Sequence, residues 1–97
     1  MARQELVALE RTVAQSVAAQ VRILSNARQQ VALAELNLRL AQETLAAEKA
    51  RQTAGRAIQK DVLEAQRALS VAELGVVEAR TGYRKALVAL QALQGAL

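Results

Sequence analysis

The chain has 97 residues, 53% of them hydrophobic but only 1% aromatic, with thirteen cations, nine anions and a net charge of +4. It contains no Cys and no His, which excludes disulfides, thiolate metal sites, a Cys nucleophile and imidazole chemistry. So few aromatics argue against a compact core, whereas a proline-free chain rich in Ala, Leu, Glu, Gln and Arg has the composition of long helices.

The cations are spread along the chain among the anions, and there is no aromatic platform for stacking bases, so nucleic acid is not an expected partner. The opening "MARQELVALE" has no apolar run of signal-peptide type, and no segment is long and apolar enough to span a bilayer. Direct membrane insertion by this segment is therefore not expected.

Helix one is predicted over about 3–53. Val17, Leu24, Val31, Leu38 and Leu45 recur every seven residues, and Val13, Gln20, Ala27, Ala34 and Ala41 form a second seven-residue column. Together they make the a/d seam of a coiled coil.

A turn is predicted over about 54–59. Gly55 can take a positive φ and close helix one, and Lys49 and Arg51 place cations at its negative end. Asp61 and Glu64 have the D-x-x-E form of an N-terminal capping signal, so helix two should start between Ile58 and Asp61.

Helix two is predicted over about 60–95. One column is Val62, Leu69, Val76, Tyr83, Leu90 and Leu97; the other is Ala65, Ala72, Ala79, Ala86 and Leu93. Gly75 and Gly82 fall inside it, each weakening the helix by about 1 kcal/mol relative to Ala. They imply either a close backbone neighbour or local curvature.

If the chain folds back at Gly55, facing residues have numbers that total about 110. Leu45 then faces Ala65, Leu38 faces Ala72, Val31 faces Ala79 and Leu24 faces Ala86. In the other column Ala41 faces Leu69, Ala34 faces Val76 and Ala27 faces Tyr83. Large meets small at every layer, which lets two helices interdigitate without voids. The expected fold is all-α: a long antiparallel two-helix coiled-coil hairpin with a tight turn near Gly55. A further apolar set lies off the seam: Ile23, Leu33, Leu36 and Leu40 on helix one, and Leu74, Val77, Leu87 and Val88 on helix two. Exposed apolar stripes of this kind mark interfaces, so the hairpin is expected to pack side by side with others.

The stretch "AGRAIQKDVLEAQRALSVAELGVVEARTGYRKALVALQALQGAL" resembles the last helical stretch of the outer membrane efflux protein family, the TolC-like channels of Gram-negative bacteria. The resemblance rests on Gly55, Asp61 to Leu63, Ala65 and Gln66, Ala72 and Glu73, Ala79 and Arg80, Tyr83, and Gly95. The preceding "VALAELNLRLAQETLAAEKARQTAG" resembles the helix leading into the turn. The family's frequent Tyr three residues before the tip glycine is Gln52 here.

The resemblance implies a trimer whose hairpins form an α-barrel tunnel across the periplasm, as part of an outer membrane protein. The turn would lie at the periplasmic tip and meet the adaptor (membrane fusion) protein of a tripartite efflux or secretion pump. Thr53, Ala54, Gly55, Arg56 and Ile58 would form the docking tip, with Arg56 and Lys60 offering hydrogen-bond donors. Asp61 and Glu64 would face the lumen at its constriction. The family's membrane strands and second hairpin do not occur here, so the chain is expected to be one hairpin of a larger channel protein.

Two other readings share this architecture: the coiled-coil hairpin of the adaptor itself, and a stand-alone structural hairpin. The adaptor's hairpin is flanked by lipoyl-like strands, which are not seen in this sequence. Catalysis is the least expected role, since no side chains converge into a reactive site; neither a cofactor nor a metal is implied.

Overall fold

The computed structural model describes residues 2–95. It contains two helices, α1 (Ala2–Thr53) and α2 (Gln59–Gly95), and no strand among the described residues. They lie against each other in a rod of 80 × 15 × 14 Å, with a radius of gyration of 22.3 Å. A compact chain of this length has a radius of about 12.5 Å. None of the described helices is long and apolar enough to cross a membrane.

Burial follows the two heptad columns. On α1 the half-buried positions include Val17, Leu24, Val31, Leu38 and Leu45, together with Val13, Gln20, Ala27, Ala34 and Ala41. On α2 they include Leu69, Tyr83 and Leu90, with Ala72, Ala79 and Leu93, while Val62, Ala65, Val76 and Ala86 are buried. Even the most enclosed of these, Val76, keeps 4% of its surface. Two helices can shield only the line along which they touch, so the core is a seam and not a centre. Leu97, the last member of its column, lies outside the described residues.

The cross-hairpin ion pair confirms the register. Arg80 Nη2 donates to Glu35 Oε1 at 3.2 Å. Both side chains occupy the position just outside the seam on the same side, where such pairs flank layers whose numbers total 110. The pair is well exposed, so it contributes at most about 1 kcal/mol. It marks the alignment that the seam sets and adds little to stability.

One residue departs from the sequence reading, and one alternative for the helix-two glycines is narrowed. Leu87, expected on the outer stripe, is half-buried beside the seam. At Gly75 and Gly82 a Cβ would meet no atom within 4 Å, so the approach of α1 to α2 does not demand a glycine at either position.

Helix α1, with 52 residues, is longer than α2, with 37. The surplus is at its N-terminal end, where Ala2 to Thr12 are all exposed. Hydroxyl residues within the helices do not interrupt them. Thr12 and Ser70 donate to the carbonyls of Ala8 and Gln66, four residues back, at 3.0 and 3.2 Å.

Candidate functional site at the hairpin tip

The turn is built from a glycine stop and an acidic start. At the end of α1, the Gly55 N–H donates to the Gln52 carbonyl at 2.9 Å and the Arg56 N–H to the Arg51 carbonyl at 2.7 Å. These two bonds form a Schellman motif, which satisfies carbonyls the helix would otherwise leave bare. The motif needs a left-handed residue, and Gly55 supplies it with φ of 76°. Thr53 turns its hydroxyl back onto the Lys49 carbonyl at 3.0 Å.

α2 starts at Gln59, within the Ile58–Asp61 range expected from the sequence, but the capping residue is a different one. Ile58, not Asp61, stands at the N-cap. Its carbonyl accepts the Asp61 N–H at 3.1 Å, and its own N–H donates to Asp61 Oδ2 at 3.4 Å. Asp61 thus works from inside the first turn, reaching back to an orphan donor and placing negative charge at the positive helix end. Glu64 takes no part in the cap. It pairs with Lys60 at 3.9 Å, with both side chains well exposed.

The apex is consequently a small, open surface. Thr53, Ala54, Gly55, Arg56 and Ile58 are all exposed, and Ile58 leaves 64% of its surface in water. Ala57 alone is half-buried. Arg56 forms no ion pair among the described residues. Low side chains, one projecting apolar group and one unengaged guanidinium are brought together within six residues. That combination suits a short contact with another protein's backbone and carboxylates.

Asp61 and Glu64 fall on the same side of the hairpin, in a shallow hollow that also takes in Thr44, Glu48, Arg51, Ala65 and Ala68. The hollow opens into a groove with a small-residue floor that includes Ala34, Ala41, Ala72, Gly75, Ala79 and Gly82. Among the described residues no three acidic side chains converge to hold a metal ion.

Glu48, which belongs to no sequence motif, also lies in this hollow. Its Oε1 accepts from Arg51 Nη1 at 3.1 Å, while Oε2 is shielded from water without a partner. It was detectable from periodicity. Seven residues beyond Ala41, Glu48 is the next member of the alanine column, so the seam ends at the tip on a carboxylate facing Val62. No protein-family model, curated protein or solved structure matches the chain.

Proposed function

We propose that the chain is a periplasmic α-barrel hairpin of an outer membrane efflux channel, forming part of the tunnel wall and docking the adaptor protein of a tripartite pump through its tip. One observation carries this reading. The turn motif by which the sequence resembles that channel family, beginning at Gly55, coincides with an apex that is small and exposed and whose guanidinium, Arg56, forms no ion pair among the described residues. A turn serving only to reverse the chain has no need of an exposed isoleucine beside an unpaired arginine.

The tip has room for a second hairpin end. The absence of a Cβ at Gly55 lets another backbone approach, Ala54 keeps the surface low, and Arg56 supplies donors. On the same side, Asp61 and Glu64 would repeat in each copy of the wall and form an acidic ring, attracting cations and repelling anions.

Ala54→Trp is the direct test, because it adds bulk at the apex without touching the φ of Gly55. In the channel protein carrying this hairpin, helicity and trimer formation should stay near normal while adaptor association and efflux are lost. If a correctly folded Ala54→Trp channel still binds its adaptor and exports, the tip is a turn and nothing more. The carboxylates give a separate reading. Asp61→Asn with Glu64→Gln should weaken cation selectivity and block by multivalent cations, whereas unchanged conductance and block would leave them to the cap and the Lys60 pair.

A further inference from the structure

Charges that intermingle along the sequence are sorted by the fold. The Arg80–Glu35 pair marks one side of the seam. Arg28 lies seven residues before Glu35, Arg39 four after it and Lys49 fourteen after it, while Arg84 lies four after Arg80. Residues at these spacings share a helix face, so cations gather on that side, where the carboxylates are Glu35 and Glu73. The opposite side, with the groove, carries Glu48, Asp61, Glu64 and Glu78 against Arg51.

On the basic side the arginines cluster. Facing numbers total about 110, so Arg80 is level with Gln30 and Arg84 with Asn26. Arg28, Arg39, Arg80 and Arg84 therefore fall within about 20 Å of the axis. All are exposed, and of these only Arg80 is engaged in an ion pair among the described residues. Val77, three residues before Arg80 and 60% exposed, projects among them. Solubility does not call for this arrangement: cations paired with carboxylates four residues apart would serve as well and would steady each helix.

The spacing fits a helix. Carboxylates that engage Arg28 and Arg84 at one end and Arg39 at the other must span about 20 Å, which is under four helical turns. An apolar residue between them covers Val77, and each guanidinium can take a carboxylate through two hydrogen bonds. Nucleic acid fits less well, because there is no aromatic among the arginines to stack a base and a phosphate backbone would press charge against Val77. A membrane surface also fits less well, because valine lacks the bulk by which interfacial helices enter a bilayer.

We infer that the side of the hairpin bearing Arg28, Arg39, Arg80 and Arg84 is a docking surface for an acidic amphipathic helix of another protein. Charge complementarity selects the partner, and Val77 sets the position of its apolar stripe. The inference goes beyond the efflux reading and stands without it. In a tunnel whose lumen takes Asp61 and Glu64, this basic side is the outward one and stays accessible.

The probe is a labelled synthetic peptide whose heptads carry one leucine stripe flanked by glutamates, with its glutamine counterpart as control. The full chain should bind the acidic peptide saturably, and more weakly as salt rises, but not the control. Arg28→Gln, Arg39→Gln and Arg84→Gln combined should weaken binding about tenfold with helicity retained. Arg3→Gln, Arg22→Gln and Arg67→Gln combined remove the same charge elsewhere and should change binding less than about twofold. Val77→Ala should weaken it about threefold, which attraction between charges alone would not do. The inference is overturned if the unmodified chain does not bind the acidic peptide, or if both triple variants lose binding equally. It is equally overturned if duplex DNA or phosphatidylglycerol vesicles occupy Arg28, Arg39 and Arg84 more tightly than the peptide, or if a second copy of the chain does. Ala54→Trp at the tip should leave peptide binding unchanged, so this inference and the efflux reading fail separately.

Discussion

At Gly55 the backbone is held at φ of 76°, a conformation costing a non-glycine L-residue about 1–2 kcal/mol. Gly75 and Gly82 have ordinary helical backbones, and open space lies where a side chain would go. Glycine-to-alanine changes should therefore act with opposite signs. Gly55→Ala should lower stability by about 1–2 kcal/mol. Gly75→Ala and Gly82→Ala should each raise it by about 0.5–1 kcal/mol, by removing backbone freedom from the unfolded chain. Urea unfolding at one fixed protein concentration measures all three, and a stabilising Gly55→Ala would contradict the cap described here. Gly55 was legible in the sequence because only glycine fits a left-handed stop. The role of Asp61 was legible in kind but not in position. Ile58 has no side-chain oxygen to announce an N-cap, so the first acidic residue was read as the cap when it sits three residues inside.

At the scale of the helices, stability rests on side-chain size matched across the seam. Leu38 and Ala72 face each other at half-buried positions. Leu38→Ala should cost about 1–3 kcal/mol, below the range for fully buried leucines because the site is partly open. Ala72→Leu should cost about 1–3 kcal/mol by overpacking the same layer. Combining them restores one large and one small residue, so the double variant should lose less than the two single losses together, with a coupling of about 0.5–3 kcal/mol. Strict additivity in thermal or urea unfolding would mean that these residues do not meet. The seam could be read from the sequence because a seven-residue period leaves no freedom about which face is apolar. Leu87 escaped that reading because periodicity assigns columns, whereas its side chain lies close enough to the seam to be half-covered by the facing helix. Glu48 escaped for the opposite reason: its chemistry hid its place in an apolar column.

The whole molecule is a rod of 80 Å whose apex, flanks and groove exist only because α2 returns along α1. The tip is exposed because the seam ends there and nothing packs over the turn, and the flanks are exposed because a two-helix seam has only one inside. The hairpin architecture was readable from large-to-small complementarity about a single glycine. The hollow shared by Glu48, Asp61 and Glu64 was not, since it depends on which edge of each helix turns to the same side. The distance between paired spin labels at Val31 and Ala79 tests the return most directly, since these residues face each other across the seam. Side-by-side helices put their axes about 10 Å apart, so short label separations are expected, with little spread. A separation near 72 Å, the rise of about 48 residues in one uninterrupted helix, would contradict the hairpin and every feature of the tip and flanks that depends on it.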